Sequence, residues 1–489
     1  MILGLLLCIP LAFGLLQLYP WRSSQRRLIC FLGFLMMLVA WLQAAFQEPL
    51  ILTVGNWPHF AGILWTMDSL SLVFTGVLIF LYLPTAIALS AHSSSILVLF
   101  HFLVASMMGA FLTGDLFNLF VMFEILLLSS YALLFSLRKL KFGKIFIWSN
   151  IIGSAVFLFS LSYIYKTLGT VNMADISVRF HHLPSGMQDL IFLSTSFAFL
   201  LKAGVWPLSI WMPSSYPELP TPLLAFLSAL ASKVGIYALV RWVSLIGFNF
   251  FVGYSHWFLL LAICSIAFSL IGAIGQQKLK NSLAYLSLSH VGFLLLALTL
   301  PQPLGLAALL LYFLQDAFGA AGMMFFCHDL ERAHHPHLLF KSQAVLSSLF
   351  LIFLLASAGL PPLSGFWPKW TMLRSSITQP FFFLIILGSA FFYLYFSILV
   401  WNRYFVGEAK GSEKREKKPV HLQFGTTYCF AFIILISAVY SYKPDLFLEP
   451  AQSICDRLQY VERIQQASKM VEIKREEQKK LLQAEGDLK

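Results

Sequence analysis

Five ionisable residues of this 489-residue sequence stand where charge is costly. Glu124 lies within the apolar run Leu116 to Leu137, Lys202 within Ile191 to Trp211, Lys233 within Pro222 to Val240 and Asp316 within Leu306 to Phe326, while Lys369 directly follows a break from Pro361 to Pro368. A charge near the middle of a bilayer costs at least about 2.5 kcal/mol, so residues of this kind mark ion paths or buried pairs. In a low-dielectric interior a lysine releases its proton more readily and a carboxylic acid keeps its own. Acids and lysines placed close together titrate as coupled pairs, and moving one proton changes the neighbour's affinity for the next. The set therefore reads as a proton relay. His290, in Ser287-Leu288-Ser289-His290-Val291-Gly292, has apolar flanks and could join it through its near-neutral titration, although a core histidine is more commonly only hydrogen-bonded. Plainer roles also fit single members: Glu124 with Lys202 as a static ion pair, Asp316 as a helix-terminal hydrogen-bonding group, and Lys369 as a side chain snorkelling to an interface.

Little else in the sequence suggests chemistry. The phosphate-binding glycine loop, the dinucleotide fingerprint and the nucleophile elbow are missing from the sequence, so no cofactor site is expected. The six cysteines, Cys8, Cys30, Cys264, Cys327, Cys429 and Cys455, lack metal-ligand or redox spacing and read as apolar filling. His328, His334, His335 and His337 cluster without an organised ligand pattern, which suggests a solvated loop and no metal site.

The elements that must position these charges are membrane helices. Of the residues 59% are hydrophobic and 11% charged, against about 25% charged in soluble domains, which excludes a water-soluble fold. Apolar stretches of roughly 20 residues, each long enough to cross a bilayer, recur along nearly the whole chain, and a β-barrel is excluded because its strands alternate in polarity over about ten residues. The stretches predict an all-α polytopic membrane protein of about 14 transmembrane helices. The first, Ile2 to Leu18, lacks the basic flank and cleavage site of a signal peptide and reads as the first of these helices. The net charge of +11 comes from basic residues in short loops: Arg22, Arg26 and Arg27; Arg138, Lys139, Lys141 and Lys144; Lys278 and Lys280; Lys414, Arg415, Lys417 and Lys418. With an even helix count these loops share one side, the cytoplasmic one, so the charge points to a lipid bilayer and not to nucleic acid.

Two spans are interrupted. Lys202-Ala203-Gly204-Val205-Trp206-Pro207 and Gly359-Leu360-Pro361-Pro362-Leu363-Ser364-Gly365-Phe366-Trp367-Pro368 place prolines at membrane depth, where freed carbonyls are tolerated only beside protein or a water-filled cavity. Paired breaks of this kind suggest inverted repeats around a site near the midplane. The expected organisation is residues 1–94 as helices 1 to 3, 95–247 and 248–405 as two repeats, 406–445 as a basic loop with the last helix, and 446–489 as a charged tail.

The stretch from Gly114-Asp115-Leu116-Phe117 through Glu124 to Ser129-Ser130-Tyr131 resembles the antiporter-like proton-translocating family shared by complex I and the Mrp-type multisubunit Na+/H+ antiporters. Further matching motifs follow in order: Gly55-Asn56-Trp57 with Asp68 and Ser69; Lys202-Ala203-Gly204 with Pro207-Leu208 and Trp211; Pro220-Thr221-Pro222 leading to Lys233-Val234-Gly235-Ile236-Tyr237; Lys278 to Tyr285; and Gly359 to Phe366. The resemblance implies two inverted five-helix repeats with broken helices 7 and 12. It also implies that Glu124 and Lys202 form the key pair, with Lys233 as central relay and Lys369 on the exit side. Two departures touch the route: helix 11 offers Asp316 where the family often has histidine or lysine, and Ser209 follows the helix 7 proline and leucine, where the family often has histidine or another polar residue. The implied activity is exchange of monovalent cation, sodium, for protons in a multisubunit inner-membrane complex, by a secondary antiporter subunit and not an enzyme. The alternative is a proton-pumping subunit of NADH-quinone oxidoreductase or a related membrane hydrogenase. Gly114 to Phe120 favours the antiporter branch.

Overall fold

The structure is a computed structural model and describes residues 2–47, 50–56, 62–137, 140–332, 344–377, 380–403, 424–443, 445–456, 461–462 and 464. Its helices are α1 (Ile2–Leu16), α2 (Ser23–Phe46), α3 (Ser69–Leu89), α4 (Ser94–Leu112), α5 (Leu116–Ser136), α6 (Leu140–Leu168), α7 (Met173–Arg179), α8 (Ser185–Ala203), α9 (Trp211–Ser215) and α10 (Thr221–Ile246). They continue as α11 (Phe248–Val252), α12 (Ser255–Gly275), α13 (Leu279–Thr299), α14 (Leu304–Arg332), α15 (Ala344–Ala358), α16 (Phe366–Ser375), α17 (Pro380–Trp401), α18 (Phe424–Tyr442) and α19 (Leu448–Cys455). Among the described residues, 11 helices are long and apolar enough to cross a membrane. The chain is a multi-pass membrane protein.

Burial sorts the helices into a core and a lipid-facing shell. The apolar windows of α10, α13 and α14 are 94%, 89% and 89% buried, whereas those of α2, α6, α17 and α18 are 33% or less. A helix apolar all round belongs either in a protein core or against lipid, and here the polar cargo decides. The core helices α10, α13 and α14 carry Lys233, His290 and Asp316, which lipid would not tolerate.

Loop contacts fix which helix ends share a side. Arg26 donates to the His92 carbonyl at 2.8 Å, Lys280 to the Leu219 carbonyl at 2.7 Å and Arg403 to the Gln276 carbonyl at 2.6 Å. At the opposite ends Gly114 N–H donates to Leu64 O at 2.8 Å and Leu116 N–H to Val171 O at 3.0 Å. Basic residues thus gather at one end of the bundle. Arg138, Lys139, Lys414, Arg415, Lys417 and Lys418 lie outside the described residues, as do Trp57, His334, His335, His337 and the tail from 465 onward.

Both expected breaks are present. Helix α8 stops at Gly204, whose φ of +72° favours glycine, and α9 resumes at Trp211. Helix α15 stops at Gly359, with φ of +86°, and α16 resumes at Phe366. One element departs from an all-helical reading: β1 (Leu50–Thr53) pairs antiparallel with β2 (Leu64–Met67) at the end opposite the basic contacts. These four-residue runs are too short to register as spans, and their branched and aromatic residues suit a half-buried hairpin. The short helix α7 on the same face was equally unmarked by the apolar count.

Candidate functional site

The sequence-predicted charges fall into three stations along the bundle. At the first, α5 supplies Glu124 and α8 supplies Lys202, with Lys202 Nζ 4.0 Å from Glu124 Oε1. Ser154 on α6 joins them: its hydroxyl donates to Glu124 Oε1 and accepts from Lys202 Nζ at 2.9 Å. The hydroxyl can accept and donate at once, so a proton can pass through it without the two charges touching. Lys202 also stands 5.8 Å from the centre of the Phe123 ring, a cation–π distance.

From Lys202 a cavity of ≈ 40 Å³ extends along Ser130, Asn150, Tyr216 and Leu219 toward the basic end of the bundle. A water needs about 15 Å³, so two or three waters fit. The same cavity touches Ala231, Val234 and Gly235 of α10, the turn that bears Lys233. No hydrogen bond or ion pair links the first station directly to Lys233 among the described residues, and Lys233 itself does not line the cavity.

The second station is wholly buried. Lys233 Nζ lies 2.9 Å from Asp316 Oδ2, with both side chains 0% exposed, and donates to the Ser228 carbonyl at 2.5 Å. His290 on α13 places Nδ1 3.4 Å from Asp316 Oδ1 and 2.9 Å from the Tyr312 hydroxyl, so one ring nitrogen meets both an acid and a phenol. Its Nε2 is buried without a partner among the described residues. Asp316 is therefore neither helix-terminal nor a plain hydrogen-bonding residue: it is the carboxylate that Lys233 lacks in its own span.

The third station is Lys369 at the second break. It is 4% exposed and does not snorkel. Its ammonium donates to the carbonyls of Ser357 at 3.0 Å and Ala358 at 2.8 Å, the end of α15, where the last carbonyls of a helix are free and the dipole is negative. The rings of Tyr393 and Phe293 stand 4.9 and 5.2 Å from it. Tyr393 also shares a hydrogen bond with Ser289, the neighbour of His290, and its ring is 5.8 Å from the imidazole. Lys233, Asp316, His290, Tyr393 and Lys369 thus form one polar seam through α10, α14, α13, α17 and α16.

Close backbone contact sets the spacing. A Cβ at Gly235 would lie 2.4 Å from Ala203 N and 2.8 Å from Phe199 O, so α10 meets α8 directly beside Lys202 and Lys233. At the second break a Cβ at Gly365 would lie 1.8 Å from Ala356 O, which lets α16 bring Lys369 under the end of α15.

Sequence reasoning missed Ser154, Tyr312 and Tyr393, since single hydroxyls inside apolar runs carry no signal in one sequence. It also passed over Arg241, about two turns along α10 from Lys233, which pairs with Asp68 through hydrogen bonds of 2.5 and 2.8 Å and reaches Ser71 and Tyr237, both at 3.0 Å. A charge near a span's end gave no reason to look. Among the described residues no three His, Cys, Asp or Glu side chains are placed to hold a metal ion.

Residues 113–394, which include every residue of the three stations, match the family described as NADH:quinone oxidoreductase/Mrp antiporter, TM. The chain belongs to this family. Among its relatives, a Na(+)/H(+) antiporter subunit of Alkalihalophilus pseudofirmus is 30% identical over 435 residues, covering 83% of this chain and 87% of that one. A probable K(+)/H(+) antiporter subunit of Rhizobium meliloti is 33% identical, covering 71% of each. The fold is similar to a chain of the Mrp complex from Dietzia sp. DQ12-45-1b, with TM-score 0.83 and 22% identity over 94% of this chain and 98% of that one. It is also similar to a chain of respiratory complex I from Thermus thermophilus, with TM-score 0.82 and 22% identity over 94% and 100%. The family is one of antiporter-like membrane subunits, and both of these relatives are subunits of multisubunit antiporters.

Proposed function

We propose that this chain moves protons along the Glu124–Lys202, Lys233–Asp316–His290 and Lys369 stations as a subunit of a multisubunit antiporter, exchanging sodium or another monovalent cation for protons across the bacterial inner membrane. The observation that carries the reading is the second station. Lys233 and Asp316 are held together, fully buried, in the most buried helices of the bundle. A buried pair is a poor device for stability, because apolar residues of similar volume commonly serve as well or better. Kept together with an unpartnered imidazole nitrogen and a third lysine nearby, the pair makes sense as a place where a proton pauses.

In this reading fourteen crossings arise from the 11 long spans together with α1 and the two broken helices, α8 with α9 and α15 with α16. Residues 95–247 and 248–405 act as the two repeats, each with one break. Water reaches Lys202 from the basic side, and Ser154 couples Lys202 to Glu124. When a proton moves at one station, the electrostatic balance at the next changes and the charge advances. Cation exchange is attributed to the assembled complex, as the names of the relatives indicate. The alternative, a redox-driven pump, has the shared family and the fold likeness to complex I on its side, while the relatives named as antiporter subunits favour exchange.

The test is a cation-induced pH change in inverted vesicles that hold the whole complex, without any electron donor. Wild type exchanges sodium for protons. Glu124→Gln, an isosteric change that keeps a hydrogen-bond acceptor for Ser154, removes exchange while the complex still assembles. Full exchange by the assembled variant would overturn the relay.

A further inference from the structure

Asp115 belongs to the most distinctive motif of the sequence, yet the relay does not use it. It caps α5 by accepting a hydrogen bond from Asn118 N–H at 2.7 Å through Oδ1. It is only 7% exposed. The residue lines a cavity of ≈ 380 Å³ together with Gly62, Phe117, Leu158, Ser162 and Tyr165. That volume is many times the ~15 Å³ a cavity needs to hold one water. Its walls are Gly62, Ile63 and the ends of α5 and α6 that lie opposite the basic loops.

The cavity follows the same helix seam as the first station. On α5, Phe117 lines it and Glu124 lies seven residues deeper, which at 1.5 Å per residue is about 10 Å. On α6, Ser162, Leu158 and Ser154 recur every fourth residue, so they share one face, and Ser154 is the hydroxyl bound to Glu124. Leu158, which the cavity reaches, is one turn, about 6 Å, from Ser154. Phe120, packed on Phe157 at 5.9 Å, fills the remaining step from the α5 side. A buried carboxyl, a vestibule above it roomy enough for water and an apolar layer below are the parts of a gated port.

We infer that the α5–α6 seam is an outer proton port to the Glu124–Lys202 pair, in which Asp115 accepts a proton from outside water and Phe120 with Leu158 forms the barrier between Asp115 and Ser154. Together with the cavity on the basic side, the port gives the first station access to both faces of the membrane. The inference rests on the proposed relay, since a port needs Glu124 as its destination.

Two measurements test it in the assembled complex. Ser162→Cys in right-side-out vesicles is exposed to a charged, membrane-impermeant thiol reagent, and the peptide carrying position 162 is read by mass spectrometry, apart from the native cysteines. Labelling from the outside is expected; an unlabelled thiol at that position in the intact complex overturns the port. In parallel Asp115→Asn, which keeps the helix cap because Asn caps as well as Asp, slows exchange about tenfold or more, and Asp115→Glu restores much of it. Wild-type exchange by Asp115→Asn, while Glu124→Gln abolishes exchange, overturns the port and leaves the relay standing. Wild-type exchange by both variants overturns the relay itself.

Discussion

Asp316 shows how a single residue can be visible in the sequence while its role is not. Its charge stood out in an apolar run, but its partner lies on another helix, and the pairing with Lys233 at 2.9 Å exists only once α10 and α14 pack. The same holds for Ser154, which lies 30 positions from Glu124 and 48 from Lys202. Costly residues were legible because the bilayer singles them out. Hydroxyls were not, because inside a helix they ordinarily bond their own backbone, as Ser130 does to Leu126 O. The pairing makes a specific prediction. Asp316→Asn leaves Lys233 buried without a carboxylate, a loss of about 3 to 5 kcal/mol for a broken buried pair, and should lower the melting temperature of the purified complex and abolish exchange. Lys233→Met combined with Asp316→Leu should recover the melting temperature without recovering exchange. Recovery of both would reduce the pair to a structural element.

At the scale of elements, the two breaks matter most. Their glycines and prolines were readable from the sequence, since proline at membrane depth needs a protein or water neighbour. What the breaks accomplish needed the structure: the second turns the carbonyl end of α15 into the seat of Lys369. The hairpin β1–β2 and the helix α7 went unread because four to seven residues leave no apolar signature of a span. Packing between α8 and α10 depends on Gly235, whose missing side chain lets the two backbones meet. Gly235→Val should therefore force α8 and α10 apart, costing about 1 to 3 kcal/mol or more, and appear as a lower melting temperature and reduced yield of assembled complex. Gly388→Ala on α17, where nothing lies within 4 Å of the added carbon, serves as the control and should assemble as wild type. Equal behaviour of the two variants would show that the α8–α10 approach is not under constraint.

At the scale of the whole molecule, composition and basic loops gave the membrane class and a common side for the basic ends, and the contacts Arg26–His92, Lys280–Leu219 and Arg403–Gln276 gather those ends together. The arrangement of the core did not follow from apolarity, because core and lipid-facing helices are equally apolar: α13 has a mean hydropathy of 1.6 and is 89% buried, and α18 has 1.7 and is 28% buried. Charge placement separates them, and the helices that carry Lys233, His290 and Asp316 are the ones other helices surround. The measurement that bears most directly on this account is sodium-induced proton movement in inverted vesicles containing the assembled complex with Lys233→Ala, set beside wild type with no electron donor present. Loss of exchange, with subunit composition unchanged, is the predicted result; exchange at the wild-type rate would contradict a proton path through the centre of this chain.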